Sequence, residues 1–409
     1  MSRLIAIRHQ RKRTASGEAR PTQVMIFENG SMTPSANYEL EDEQGELDFL
    51  LGKFPLSWEK VAADQIPEHI AKHHRLEIKD SDLIKVPSEY VGYQAGDTVL
   101  SILGGSGDRF CYALTRRGQD IGAEVYGLAP FNLKKWRDKQ EDQDKENDCL
   151  ALVHVWYANP EQFYVFTTGT LRMIAVREAY RARQEAQRER IKAGNRLSQR
   201  AVGAIFMRPD GHYEEGLIED QYDALKATDV IFKTLVKEEK KRESELKALV
   251  HDLPIWKEIL GPIEGMGEVI AAGIISSIGD IRRFETDSKL KKFCGAHVLP
   301  DGRFPRRRGG EVANWQPSAR QALYQFSDQM NRRPDSVWGQ KLLTYKANLR
   351  AKHPEVEIAD GGKKRYTDGH IHKMAIWRAI TRFVEALHRD WTRLEKRLKV
   401  EAKAEDPAA

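Results

Sequence analysis

Short runs of β-branched and other apolar residues, separated by turn residues, recur in the first 165 positions of the chain. Such runs predict strands at 4–7, 23–27, 98–103 and 124–128. Residues 108–118 instead space their apolar side chains at helical intervals, and Gly118 is a suitable residue to end that helix. A strand, a helix and a strand in succession indicate a partly parallel sheet, so we expect a mixed α/β fold. Residues 31–90, rich in charge and proline, show no readable period.

Charge dominates residues 166–252. The pattern predicts a helix over 171–200 with Gly194 as its only breaker, and residues 172–200 hold nine basic and three acidic side chains. A second charged helix is predicted over about 219–249, where apolar residues share a heptad register and Glu239 lies between them. The two helices form either a projecting hairpin, as an imperfect coiled coil, or solvated helices packed on a core.

The last region, 253–409, has a mostly helical pattern. Five apolar side chains step by three and four positions and predict the buried face of a long helix: Trp377, Ile380, Val384, Leu387 and Trp391. After Glu395 the chain is rich in Lys, Glu and Ala, and we expect this tail to be frayed or disordered. The sequence therefore divides into three regions, 1–165, 166–252 and 253–409.

Composition narrows the class of protein. The chain has 409 residues, 40% of them apolar, and a mean hydropathy of −0.61. No window approaches the roughly 18–20 apolar residues of a membrane-spanning helix, and the first residues lack a secretory apolar segment. Three widely spaced cysteines exclude a disulfide framework and a Cys-x-x-Cys zinc site, so we expect a cytoplasmic protein. The net charge of +5 permits a nucleic-acid partner without requiring one.

Residues 263–274 match the helix-hairpin-helix pattern, in which two glycines lie between two helices. Gly265 and Gly267 allow a tight turn with positive φ and remove side chains that would block an approaching phosphate. The helix that follows would offer free backbone N–H groups to a nucleic-acid backbone, without reading its sequence. An ordinary glycine-rich turn between two helices is the other interpretation of this pattern.

Basic residues follow this motif. Residues 281–310 hold nine basic and three acidic side chains, and an Arg-Arg-Arg run before two glycines predicts a flexible basic loop. A second basic group surrounds His370 and His372, whose spacing suits hydrogen bonds to phosphate better than a shared metal. The candidate nucleic-acid-binding residues are Gly265, Gly267, Lys289, Lys291, Lys292, Arg306, Arg307, Arg308, Lys363, Lys364, Arg365, His370, His372 and Lys373.

Several of these segments resemble one family of insertion-sequence transposases, the IS110 type (also called IS116 and IS902). The resemblance is carried by Ile263-Glu-Gly-Met-Gly267, Ile278-Gly-Asp-Ile281 and Phe293-Cys-Gly295. For a subset of the family it extends to residues 307–325 and to Thr367-Asp-Gly-His-Ile-His-Lys-Met-Ala375. The predicted strands and the charged helices fall where the family has its first domain and its coiled-coil arm.

The resemblance implies a RuvC-like, RNase H-type sheet with a DEDD acidic cluster, a helical coiled-coil arm, and a helical C-terminal transposase domain. It implies DNA recombination in the prokaryotic cytoplasm or nucleoid, with a structured non-coding RNA as a further partner. Clustered carboxylates would hold Mg²⁺ and stabilise charge on a phosphodiester while a serine hydroxyl attacks the phosphorus. A homo-oligomer, as a dimer or tetramer, is also implied, and no membrane partner is expected.

Carried over residue by residue, the family's catalytic groups are largely replaced. Arg8 stands at the position of the family's first aspartate and Ser101 at that of its glutamate. Lys145 stands at the position of the next aspartate, and Arg308 at that of the serine. The last aspartate is matched by Asp148, and Asp144 and Asp142 lie close to it in sequence. These three aspartates are the candidate catalytic residues, and Asp148 and Asp144 are the candidate metal ligands.

Two functions from different classes remain open at this point. One is an active, Mg²⁺-dependent transposase or recombinase that uses displaced acids at Asp142, Asp144 and Asp148, with Glu124 as a further candidate. The other is a nucleic-acid-binding or regulatory protein that keeps the transposase scaffold without its chemistry. A nuclease or repair factor that uses the hairpin motif is a third, weaker interpretation.

Overall fold

The computed structural model describes residues 3–10, 20–28, 30–62, 65–66, 68, 72, 83–102, 107–139, 147–213, 216–300, 303–306, 314–359 and 362–405. The chain divides into two compact units, Met1–Leu171 and Arg172–Ala409. Four of the candidate residues lie outside the described residues: Asp142, Asp144, Arg307 and Arg308. The side chain of Lys363 is also outside the description.

A six-stranded mixed sheet is the centre of the first unit. The strands of this unit are β1 (Arg3–Arg8), β2 (Thr22–Glu28), β3 (Ala36–Leu40), β4 (Phe54–Ala62), β5 (Leu83–Val91), β6 (Thr98–Ser101), β7 (Glu124–Leu128) and β8 (Phe163–Val165). The sheet has the order β3-β2-β1-β6-β7-β8, and β4 and β5 form a separate antiparallel pair. Within the sheet, β1 is antiparallel to β2 and parallel to β6, and β7 is parallel to β6. The four strands predicted from the sequence are therefore present.

Helices pack on the sheet because its central strand is apolar on both sides. The helices of this unit are α1 (Glu43–Leu51), α2 (Asp108–Ile121), α3 (Pro130–Arg137) and α4 (Asp148–Ala158). Leu4 and Ala6 of β1 share a buried cluster with α4, and the alternating Ile5 and Ile7 are also completely buried. A strand that buries both faces needs cover on both, which confirms a mixed α/β unit.

The predicted end of α2 at Gly118 is wrong. Gly118 lies inside the helix, where a Cβ atom would meet the carbonyl oxygen of Ala123 at 2.5 Å. Gly122, in the left-handed conformation with φ of 70°, ends the helix four residues later. Gly118 thus permits close packing, and the segment 31–90 that showed no sequence pattern supplies β3, α1, β4 and β5.

The second unit is built mainly from helices. They are α5 (Thr168–Phe206), α6 (Ile218–Thr228), α7 (Val230–His251), α8 (Glu268–Ile278), α9 (Asp287–Phe293), α10 (Pro317–Arg332), α11 (Val337–Lys352) and α12 (Asp368–Glu405), with the short antiparallel pair β9 (Glu357–Ala359) and β10 (Lys363–Arg365). The apolar face predicted for α12 is confirmed, since Ile380, Val384, Leu387 and Trp391 are all buried in the core.

Three expectations about the long helices are corrected. Gly194 does not interrupt α5, and the space that its side chain would need borders the hydroxyl of Tyr222 and the ring of Phe232. The second charged helix is divided at Asp229, whose carboxylate accepts the Phe232 N–H at 2.7 Å and caps α7. The tail expected to fray after Glu395 is helical through Glu405, because Trp391 and Leu394 anchor this part of α12 in the core.

Candidate nucleic-acid interface and sheet edge

The parallel strands β1 and β6 end side by side, and polar groups gather at this edge of the sheet. Ser101, which the resemblance aligns with a catalytic glutamate, is buried, and its Oγ lies 2.7 Å from Nε2 of His9. The Cys111 thiol of α2 lies 3.3 Å from both atoms. His9 directly follows Arg8, which stands at the position of the family's first aspartate. Among the described residues, a His–Ser–Cys cluster and Arg8 therefore stand where the resemblance predicts acids.

The surroundings keep this cluster uncharged at neutral pH. Burial lowers the pKa of His9 to about 4, although the nearby Asp108 partly opposes the shift. Burial likewise raises the pKa of the Cys111 thiol to about 12, so that its nucleophilic thiolate is scarce. The imidazole also fits tightly, because a Cβ on Gly107 would lie only 2.2 Å from its ring.

Asp148 reaches the same region from the start of α4. Its carboxylate forms an ion pair with Arg137 of α3, and both side chains are largely buried, at 13% and 12% exposed. The neighbouring Cys149 thiol lies against the backbone of Arg8, which places the start of α4 at the end of β1. Among the described residues, Asp148 is thus held by an arginine.

The described residues do not fit the Mg²⁺ site that the resemblance implies. Such a site needs several oxygen ligands, including more than one carboxylate. Within the part of the chain that the structure describes, no three His, Cys, Asp or Glu side chains are placed to share a metal. Asp148 is therefore located, and its grouping with Asp144 and Asp142 stays a prediction.

The two glycines of the predicted helix-hairpin-helix motif have different conformations and surroundings. Gly265 has φ of 87° and packs closely, since a Cβ there would lie 3.0 Å from Gln329 of α10. Gly267 has φ of −71° and open space beside it, so the positive φ expected at this residue is wrong. Gly265 thus serves the turn and its packing, whereas Gly267 leaves the start of α8 accessible.

An acid occupies the helix end that the motif would offer to phosphate. Glu268, the first residue of α8, accepts a hydrogen bond from its own backbone N–H, which lowers the pKa of its carboxyl. The same carboxylate lies 3.2 Å from Nε2 of His251, and Glu264 is exposed nearby in sequence. The negative charge of these carboxylates repels a phosphate and so disfavours phosphate binding at this end of α8.

Many of the basic residues counted in the sequence are used inside the second unit. Lys289 pairs with Glu285 at 2.7 Å, and Lys291 pairs with both Asp287 and Glu385. The sequence signal for these pairs was available, because Glu285 and Asp287 each stand four residues before their lysine.

Arginines of the long helices are engaged in the same way. Arg177 of α5 donates from Nε to the carbonyl of Ser276 in the last turn of α8. Arg183 and Arg190 both form ion pairs with Glu239 of α7, which is 8% exposed. The polar position in the heptad register is therefore an ion-paired contact between α5 and α7.

One group of cations does converge. Burial and the charges of Arg306, Arg365, His353 and Lys373 lower the pKa of His370, in that order of cause. Arg306, Arg365 and Lys373 are exposed, and none of them forms an ion pair with a described carboxylate. These three residues, whose charges act on His370, are called the cation cluster below. Of the other candidates, Lys292 and Lys364 are exposed and His372 is partly buried.

A neighbouring arginine fixes the loop that carries Arg306. The Arg320 guanidinium lies over the rings of Trp377 and Trp315, at 4.0 and 4.7 Å from their centroids. It donates to the carbonyls of Gly295 and Pro305, the residue directly before Arg306. Burial lowers the pKa of Arg320 to about 10, which still leaves it charged at neutral pH. Sequence reasoning missed this contact, because its first and last members, Gly295 and Trp377, are 82 positions apart.

Comparison with known proteins finds a family match within the second unit. Among the described residues, every helix is too short or too polar to cross a bilayer. No curated protein matches the chain. Residues 257–341 match the family described as Transposase IS116/IS110/IS902 family, a segment that includes α8, α9, α10 and Arg306. The chain thus carries a domain of the IS116/IS110/IS902 family of insertion-sequence transposases, as its sequence motifs predicted.

Proposed function

We propose that this protein is a DNA-binding protein of the insertion-sequence transposase type that holds the DNA backbone through its second unit. The observation that carries the proposal is the cation cluster: Arg306, Arg365 and Lys373 are exposed, and the charges of all three act on His370. Arg306 belongs to the segment that matches the transposase family. Exposed cations without carboxylate partners are the groups that replace counterions along a nucleic-acid backbone.

His370 adds a directional contact to this surface. Its Nδ1 accepts the backbone N–H of Tyr366 at 3.0 Å, so the proton of the neutral ring is on Nε2. That N–H can donate to a phosphate oxygen while the cations supply the charge. The contact fixes position along the backbone and carries no base preference by itself.

We propose further that the first unit keeps a RuvC-like scaffold without the family's metal-dependent chemistry at its described sheet edge. The strand order and the mixed directions of β1, β2 and β6 support an RNase H-type sheet. The described edge carries His9, Ser101 and the Arg137–Asp148 ion pair, and no three described His, Cys, Asp or Glu side chains are grouped to hold a metal. A fold alone does not supply chemistry, so the residues at the sheet edge determine whether the unit can cleave DNA.

Binding is tested by fluorescence anisotropy with a labelled DNA duplex over a series of salt concentrations. Replacing all three members of the cation cluster (R306A/R365A/K373A) should lower the slope of log affinity against log salt by about 3. Lys373→Ala alone should lower it by about 1, and Lys399→Ala, an exposed cation near the far end of α12, should leave it unchanged. An unchanged slope in the triple variant would remove the cation cluster from the DNA-binding surface.

Catalysis is tested with supercoiled plasmid and Mg²⁺ or Mn²⁺. We expect no strand cleavage by the purified chain, with or without the nucleic acid that co-purifies with it. Cleavage that Asp148→Ala abolishes would overturn the non-catalytic part of the proposal. It would favour the active transposase that uses Asp148 with Asp142 and Asp144.

RNA association belongs to the same proposal. Positive charge binds the phosphates of DNA and RNA alike, so the cation cluster is compatible with both. Sequencing of the nucleic acid that co-purifies with the protein distinguishes them. A single enriched structured RNA would support an RNA partner, whereas random cellular fragments would not.

A further inference from the structure

Three aromatic rings form a parallel series beside the cation cluster. The rings of His353 and Tyr366 are stacked with centroids 3.7 Å apart and an interplanar angle of 6°. Tyr366 and His370 follow at 5.6 Å and 10°. All three side chains are partly exposed to solvent. These three rings are called the ring stack below.

The backbone holds the ring stack in a strained but well-supported conformation. Tyr366 has a positive φ of 55°, and it is the one non-glycine residue among those described that does. Its N–H is bound to His370, and Arg350 donates to the carbonyls of both Tyr366 and His353 at 3.0 and 3.2 Å. Arg350 is oriented in turn by Asp368 at 2.5 Å. Strain of this kind persists where the surroundings determine it and is common at binding sites.

The charges around the rings match those of a nucleotide rather than those of an apolar ligand. Arg306 lies outside the helices and strands, Arg365 ends β10 and Lys373 lies in the first turns of α12, and the charges of all three act on His370. A planar ring surface next to positive charge is the arrangement with which proteins bind single-stranded nucleic acid. The bases of a duplex are already stacked on one another and cannot reach such a surface without unpairing.

We propose that the ring stack binds an unpaired nucleobase, which extends the stack while the adjoining phosphates lie on the cation cluster. This inference rests on the proposed function and adds a preference for single-stranded or locally opened nucleic acid. The shared chemistry is a planar base on a phosphodiester chain. Either DNA or RNA supplies it, and the experiment distinguishes the two.

The test compares the full-length protein and its variants on three labelled probes: a 20-nucleotide single-stranded DNA, an RNA of the same sequence, and the corresponding DNA duplex. His353→Ala removes one ring of the stack without removing any hydrogen bond that its side chain makes within the described residues. We expect it to weaken single-strand binding about 5- to 100-fold and to change duplex binding less than twofold. His353→Phe, which keeps a flat ring, should retain single-strand binding.

A second readout reports on stacking directly. A 2-aminopurine placed in the single strand should be quenched on binding to the wild-type chain and much less on binding to His353→Ala. Circular dichroism and thermal unfolding check that each variant is folded. Equal losses on single strand and duplex, or no loss on either, would overturn the ring stack as a base site while leaving the proposed DNA binding intact. Absence of binding to all three probes would refute both.

Discussion

At the scale of single residues, two glycines that each precede a helix have opposite surroundings. A Cβ on Gly107 would lie 2.2 Å from the His9 ring, whereas Gly267 has open space and φ of −71°. We expect Gly107→Ala to lower the free energy of unfolding by about 1–3 kcal/mol, because the imidazole cannot move without losing its bond to Ser101. Urea unfolding at neutral pH measures the change.

Gly267→Ala is the matched control for this prediction. It should leave the stability unchanged or raise it by about 0.4–1 kcal/mol, since the unfolded chain becomes less flexible. It should also leave DNA affinity unchanged, because the cation cluster rather than the hairpin is proposed to bind phosphate. If Gly267→Ala weakened DNA binding, the hairpin would be a phosphate site after all. Equal stability of the two variants would contradict the tight fit at Gly107.

His9 gives the first unit a predictable dependence on pH. Its pKa of about 4 lies below the ordinary value of 6.5, so the unfolded state binds the proton first as the pH falls. The stability that this residue contributes is fully present above pH 6.5 and is lost as the pH falls to about 4. After allowance for its partial exposure, we expect a loss of about 2 kcal/mol from this group.

Urea unfolding at several pH values measures this loss. His9→Gln cannot take up the proton, so its stability should fall less steeply below pH 6.5 than that of the wild-type chain. His212→Gln, which changes an exposed histidine of the second unit, should keep the wild-type dependence. Parallel curves for His9→Gln and the wild-type chain would show that His9 does not titrate in this way.

At the scale of helices, the contact between α5 and α7 depends on one buried acid. Glu239 is held by Arg183 and Arg190, and its replacement leaves two cations beside an apolar seam. We expect Glu239→Ala to destabilise this helix pair by about 3 kcal/mol, which amide hydrogen exchange in α5 and α7 would measure. Glu189→Ala, which breaks an exposed pair with Lys192, should have no measurable effect. Equal exchange in both variants would contradict a structural role for Glu239.

The sequence predicted secondary-structure elements correctly where the local pattern of apolar residues determines the structure. The four strands and the buried face of α12 were found because apolar period and burial agree. The errors at Gly118, Gly194 and the tail share another cause, because each depends on a distant partner. Gly118 packs against the hydroxyl of Tyr93, Gly194 borders Tyr222, and Trp391 holds the tail in the core. A local pattern carries no record of such contacts.

At the scale of the whole molecule, the same distinction separates the predicted basic residues into two groups. Counting charges along the chain indicated two basic segments, yet Arg177, Lys289 and Lys291 are bound to groups within the second unit. The cation cluster instead joins residues from positions 306 to 373, which no single segment contains. The candidate residues could therefore be named from the sequence, whereas their grouping required the fold.

The action of these charges on His370 predicts that the proposed DNA binding depends on pH. The pKa of His370 lies below the ordinary histidine value of 6.5, because burial and the charges of Arg306, Arg365, His353 and Lys373 disfavour its protonated form. A bound phosphate offsets those charges and raises that pKa, so binding and proton uptake support each other, although the added proton goes to Nδ1 and displaces the Tyr366 N–H from it. Affinity for DNA should therefore increase as the pH falls below 6.5, by up to about tenfold.

Anisotropy titrations between about pH 7.5 and pH 5.5 at constant salt measure this increase. His370→Gln, which has no proton to gain, should bind with an affinity that depends less on pH. His212→Gln again serves as the control with an exposed histidine outside the cluster. If His370→Gln and the wild-type chain gained affinity equally as the pH fell, phosphate would not lie against His370. The DNA contact would then have to be sought elsewhere on the second unit.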